Sequence, residues 1–238
     1  MKIVCLDAAT LGGDADLSEI ASLGEFESYE MTEPAQTAQR LAGADVVITN
    51  KVLITDEIMA QTALKLICVS ATGTNNIDMQ AAQARGIAVK NVAGYSTNSV
   101  VQQTFASLFA LTNALGYYAD YSSSGKWCES EIFTHIDASI SEIYGKEFGV
   151  IGLGQIGVKL ARIAAAFGAN VRYYSTSGAN DNGEFARVSL DALLRACDII
   201  SIHAPLNEKT SGLIGEAELA KMKGGGDLDE FRPRRHRR

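Results

Sequence analysis

The chain has 238 residues, 47% of them hydrophobic and 21% charged, and a net charge of −7. That is globular composition with length for one large domain or two modest ones, which excludes a disordered or fibrous chain. An acidic body argues against nucleic acid or an anionic membrane as partner, the more so because five of the 21 Lys and Arg sit in the run Arg232–Arg238.

In chain order, Ile3–Leu6 reads as a short buried strand and 35–42 as helical. Residues 45–49 (DVVIT) predict a second strand, and 56–62 a short helix capped by Thr55. Residues 66–70 (LICVS) predict a third strand. A helix over 77–85 follows, ended by Gly86, with Asp78 as its cap or anchor, and then a fourth strand over 87–91 (IAVKN). Strands alternating with helices predict a parallel sheet covered on both faces. Residues 98–121 predict one long helix with Thr97 as its cap, since Phe105, Leu108, Phe109, Leu111, Thr112 and Leu115 recur at three- and four-residue steps. Residues 122–142 are irregular and polar, anchored by Trp127 and Phe133, and a second α/β series begins at Lys146.

The four cysteines lie far apart, with no CxxC or Cys/His spacing, so no metal site is expected and buried free thiols in a reducing cytoplasm are. MKIVCLD has too short an apolar run for a signal peptide. No apolar stretch approaches the roughly 20 residues that span a bilayer.

The second series carries the chemistry. An apolar strand over 148–151 runs into Gly152-Leu153-Gly154-Gln155-Ile156-Gly157, a helix follows, and a further strand spans 171–174. A lone GxGxxG says little, but between a strand and a helix it is a dinucleotide-binding signature. Gly152 permits the tight turn, Gly154 lets a pyrophosphate approach the backbone, and Gly157 lets the helix pack close to the strand. The amides of Gln155 and Ile156 would face the phosphates. An Asp or Glu at the second strand's end would select the ribose 2′-OH of NAD. Ser175, Thr176 and Ser177 stand there instead, so nothing repels a 2′-phosphate and no Arg attracts one. NAD and NADP both remain candidates, with NADP expected to be tolerated.

With the glycine motif, three further segments resemble the D-isomer-specific 2-hydroxyacid dehydrogenases, most closely their glycerate dehydrogenase and hydroxypyruvate reductase branch. They are SATGTNNID (70–78), GIAVKNVAGYSTNSVVQQTFASLFAL (86–111) and CDIISIHAPLNEKTSGLI (197–214). The resemblance implies an α/β chain of two parallel-sheet domains, Rossmann-like and flavodoxin-like: a substrate domain over 1–94 and an NAD(P)-binding domain over 95–223. It implies that the amides of Thr72 and Gly73 hold the carboxylate of a small 2-oxo or 2-hydroxy acid. It places Ala204, Pro205 and Thr210 beside the adenosine, His203 as a strand-end residue near the cofactor, and a homodimer formed through the cofactor domains with 99–142 contributing. A non-catalytic NAD(H)-sensing module, like the family's corepressors, is the alternative.

The family's catalytic His, Glu and Arg fall beyond the segment matching Lys223, so no catalytic residue is assigned and this chain is expected to be inactive. The family continues with a buried strand and a GRG-like turn, whereas this chain continues GGGDLDEFRPRRHRR. Codons for Gly226–Arg238 exist that, read one base out of register, give AILMNFGRGGIV. The basic tail over 224–238 is therefore read as a one-base frameshift rather than a functional tail. On this reading the cofactor domain is truncated after its third strand, its first strand becomes an open apolar edge, and folding is poor.

Overall fold

The computed structural model describes residues 1–224, so the expectation for the basic tail lies outside the described residues. The chain divides into two compact units, Met1–Ser96 and a second beginning at Thr97.

In the first unit the strands are β1 (Lys2–Cys5), β2 (Glu25–Ser28), β3 (Val46–Thr49), β4 (Leu66–Val69) and β5 (Ala88–Asn91). Between them lie the short helices α1 (Ser18–Ala21), α2 (Thr37–Arg40), α3 (Asp56–Ala60) and α4 (Met79–Ala84). All pairings are parallel, in the order β2-β1-β3-β4-β5. Period-two alternation sends Val4, Leu6, Val47, Ile67 and Val69 to one face, where they meet Leu41, Ile54 and Met59. Ile3, Cys5, Val46 and Ile48 fill the other. Both faces are covered, as a parallel sheet requires.

β2 escaped the sequence reading. Its EFES segment is a half-exposed edge with charges on it, one of which, Glu27, pairs with Lys2 at 2.9 Å. Residues 35–42 form a turn of 3₁₀ helix followed by α2 rather than one helix. Thr55 and Asp78 both cap as expected, accepting from the amides of Ile58 (3.3 Å) and Ala81 (2.9 Å). Asp78→Ala should cost about 1 kcal/mol in urea unfolding, and Asp78→Asn much less, because Asn caps nearly as well.

The second unit opens with α5 (Thr97–Thr112), α6 (Leu115–Ser123) and α7 (Lys126–Glu129). The single helix expected over 98–121 is broken at Ala114, which adopts a left-handed φ of 47°. The Thr112 hydroxyl donates to the Leu108 carbonyl (2.9 Å), and the freed Thr112 carbonyl accepts from the Ser141 amide (2.8 Å), so the connector takes over where the helix stops. Val101, Phe105, Leu108 and Thr112 are buried, but Leu111 and Leu115, expected in the same stripe, are exposed. The cysteines are free, and Cys128 on α7 is exposed rather than buried.

The second sheet comprises β6 (Glu147–Ile151), β7 (Asn170–Tyr174), β8 (Ala186–Arg187) and β9 (Ile199–Ile202). The helices α8 (Gln155–Ala166) and α9 (Leu190–Ala196) connect its strands, and α10 (Glu216–Leu219) follows. The order is β8-β7-β6-β9, all parallel. This corrects the expected truncation after a third strand. The two-residue β8 is the third strand, too short to see in the sequence, and β9 is the fourth. β9 pairs with β6 on the side opposite β7, so β6 is central and not an open edge. The strand order reverses between β6 and β9, the position at which doubly wound sheets bind ligands.

Candidate functional site

A cavity of about 510 Å³ opens at the C-terminal ends of β6, β7 and β9, within the size range of small-molecule clefts. Its walls include Gly152, Gly154, Thr176, Asn180, His203 and Pro205. The turn after β6 is made by Gly152 at φ 93°, with its amide donating to the Tyr174 carbonyl (2.9 Å). A Cβ there would lie 2.8 Å from the Ala204 nitrogen and from the His203 carbonyl. A Cβ on Gly157 would lie 2.1 Å from the Gly152 carbonyl oxygen, so α8 touches the turn backbone to backbone.

Gly154 differs from both. It caps α8 with φ −81°, and a Cβ would meet nothing within 4 Å. Neither its conformation nor its packing calls for glycine, yet it faces the cavity. The amides of Gln155, Ile156 and Gly157 follow as the first turn of α8, where no intrahelical acceptor exists and the helix dipole is positive. The Ile156 side chain packs against the core, whereas Gln155 borders an adjoining groove with Lys159 and Arg162.

The end of β7 meets the cavity through Thr176 and Ser177. Ser175 is only 4% exposed, and its Oγ has no hydrogen-bond partner among the described residues. Asn180 was not singled out in the sequence. Its Nδ2 donates to the Leu153 carbonyl (3.1 Å) and its carbonyl accepts from Tyr173 OH (3.0 Å), folding the loop after β7 onto the glycine turn. Nothing local in GANDNGE signals those long-range bonds.

After β9, Ala204 sets its backbone nitrogen against Gly152, and Pro205 reaches the wall. Thr210 shapes this loop from behind: its hydroxyl donates to the Pro205 carbonyl (2.5 Å) and accepts from the Asn207 amide (2.8 Å). Asn207, Glu208 and Lys209, also absent from the sequence assignment, complete that wall with one charge of each sign.

Burial holds the His203 imidazole below its ordinary value of 6.5. Its Nε2 shares a hydrogen bond with Ser201 Oγ (2.8 Å). A depressed value means that stability is fully present above pH 6.5 and is lost as pH falls toward and through the folded value. His203→Asn should therefore lose less thermal stability than the parent between pH 7 and about pH 5, measured by paired melting curves.

In the first unit, Thr72 and Gly73 sit on an exposed loop at the end of β4. Thr72 Oγ1 donates to the Val92 carbonyl (3.0 Å), and Asn91 Nδ2 donates to the Thr72 carbonyl (2.6 Å). Among the described residues neither the Thr72 nor the Gly73 amide donates a hydrogen bond, and a Cβ on Gly73 would meet nothing within 4 Å. His135 has no place in either site: its ring stacks on Tyr121 at 3.6 Å and shares a hydrogen bond with Tyr117 OH (2.7 Å).

The profile of the D-isomer specific 2-hydroxyacid dehydrogenase NAD binding domain matches residues 105–228. A glycerate dehydrogenase of Methylorubrum extorquens is 36% identical over 224 residues, 93% of this chain and 69% of that protein. A hydroxypyruvate reductase of Blautia hydrogenotrophica is 34% identical over 232 residues, 94% of this chain and 72% of that protein. Among solved structures, an acyclic imino acid reductase in complex with NADPH and D-Arg superposes with a TM-score of 0.80 at 28% identity, covering 94% of this chain and 71% of that one.

Proposed function

Because the chain belongs to the D-isomer specific 2-hydroxyacid dehydrogenase family, we propose that its substrates are small 2-oxo and 2-hydroxy acids of the hydroxypyruvate, glycerate and glyoxylate type. The cofactor is NAD or NADP. When bound, the nicotinamide supplies or accepts a hydride at the substrate's C2.

The chain's own residues do the holding. Gly152 and Gly157 close the elbow, and Gly154 leaves a face on which a pyrophosphate rests against the first amides of α8. Thr176, Ser177 and Asn180 offer hydroxyl and amide groups to the adenosine ribose. They neither repel a 2′-phosphate, as a carboxylate at that strand end would, nor demand one. Thr72 and Gly73 offer amide donors to a carboxylate. The observation that carries the reading is Gly154, a glycine on the cavity wall whose missing side chain serves no neighbour within the protein.

No described histidine is paired with a glutamate. His135 is occupied by its tyrosines, and His203 is desolvated and bonded to Ser201. We propose that the described residues bind both partners without turning them over. Fluorescence titration with NADH and NADPH should show saturable binding of each, while hydroxypyruvate or glyoxylate should leave NADH absorbance unchanged. Failure of both nucleotides to bind would overturn the cofactor site, and steady NADH consumption would overturn the proposed lack of turnover.

The exposed Leu111, Leu115, Trp127, Phe133, Ile136 and Ile140 support a homodimer built on 99–142, which sedimentation equilibrium would test. Free cysteines fit a reducing cytoplasm, and no described helix is long and apolar enough to cross a membrane.

A further inference from the structure

Asp7, immediately after β1, is a carboxylate buried to 2% exposure, with no cation paired to it among the described residues. Hydrogen bonds alone offset its desolvation. Its Oδ2 accepts from Thr49 Oγ1 (3.1 Å) and from the amides of Lys51 (2.7 Å) and Val52 (3.3 Å), and both oxygens accept from the Asn50 amide (3.0 Å). Successive amides wrapped on one anion form a nest, which fixes the turn between β3 and α3.

That turn is in contact with the carboxylate loop. The Val52 carbonyl accepts from Asn76 Nδ2 (3.1 Å), the Ile54 amide donates to the Asn76 carbonyl (2.8 Å), and the Asp78 amide donates to the Ile54 carbonyl (3.0 Å). A parallel bridge joins Ile54 to Ile77, and the Ile77 amide returns to the Thr74 carbonyl (3.0 Å). Residues 72–78 thus hang from residues 52–54, which hang from Asp7. On the other side the loop is tied, among the described residues, to the end of β5 through Asn91 and Val92. At the same C-terminal end of the sheet, Asn50 Oδ1 and Ser70 Oγ are buried without a hydrogen-bond partner among the described residues.

We propose that Asp7 is a positioning residue: through the turn at 50–54 its carboxylate sets the conformation in which the Thr72 and Gly73 amides are presented. For what those amides bind, the inference rests on the reading above; the relay itself does not. Hydrogen exchange read by mass spectrometry on the full chain tests it.

Asp7→Asn puts an NH₂ group among amide donors. It should speed exchange at 50–54 and at the bonded amides of Ile77 and Asp78 by about tenfold or more, the equivalent of one lost hydrogen bond to a charged acceptor. The strands β1, β3 and β4, and all of β6–β9, should be unchanged. Asn76→Ala cuts the relay further along and should speed exchange at Ile77 and Asp78 while leaving 50–52 as they were. A uniform rise across 1–96 in Asp7→Asn, or loosening of 50–54 that stops short of Ile77, would overturn the proposal. Should Asp7→Asn not fold, unchanged exchange at Ile77 and Asp78 in Asn76→Ala would overturn it alone. Hydroxypyruvate should protect the 72–73 amides in the parent. If it did not while both variants behaved as expected, the substrate reading would fail and the relay would stand.

Discussion

Gly157→Ala should destabilise the second unit by about 3 kcal/mol or more, a large share of the roughly 5–15 kcal/mol that holds a domain together. The added carbon would sit 2.1 Å from the Gly152 carbonyl oxygen and 3.2 Å from its carbonyl carbon. Both are backbone atoms, and neither strand nor turn can yield locally. Gly152 is held by its amide bond to the Tyr174 carbonyl and by the His203–Ala204 backbone on the other side. The remaining outlet is to lift α8 off the sheet. That would strip Leu160, Ala161 and Ala164 of their packing against Phe148, Val150 and Tyr173. Urea unfolding followed by the exposure of Tyr173 would measure it. A loss under about 1 kcal/mol would mean that the elbow is far more pliant than its geometry indicates.

Gly154→Ala should do the opposite. Stability should change by about 1 kcal/mol or less, the difference between glycine and alanine as an N-cap. Nucleotide affinity should fall by at least tenfold, roughly 1.4 kcal/mol, because the methyl group would project into the space proposed for the pyrophosphate. Paired melting curves and NADH titrations would separate the two effects. An alanine at 154 that binds as tightly as glycine would sink the proposed use of that wall. The contrast between two glycines three residues apart is sharper than either measurement alone, since a general intolerance of the motif would damage both properties together.

The legible parts of the chain were those whose signal is local. Buried strands such as VVIT and LICV announce themselves by apolar runs, and the caps at Thr55 and Asp78 by a capping side chain immediately ahead of a helix. The glycine motif was legible because each glycine answers a local steric demand or opens a local space. What stayed hidden depends on partners far along the chain. β2 is strand-like only because β1 offers it an edge. β8 is two residues whose pairing to Arg172 and Tyr173 no periodicity records. The break at Ala114 needs the Ser141 amide to take the freed carbonyl of Thr112. Asn180 looks like a loop residue until the Leu153 carbonyl is brought to it. Ser175 shows the reverse: a residue named from its place at the strand end, which the fold buries while its two successors reach the cavity.

The central place of β6 also orders events in time. Phe148 pairs with Val171 across a short crossover through α8, and with Ile199 across a much longer stretch of chain. Closing the longer loop costs more entropy and waits on more of the chain being in place. The β6–α8–β7 piece, which already contains Gly152, Gly154 and Gly157, is therefore expected to assemble first. Only when β9 docks do His203 and Pro205 arrive to make a cavity of what had been an open turn. Nucleotide capture during refolding should accordingly lag behind the appearance of helical signal, so that a bound dinucleotide acts as a clock for the last strand.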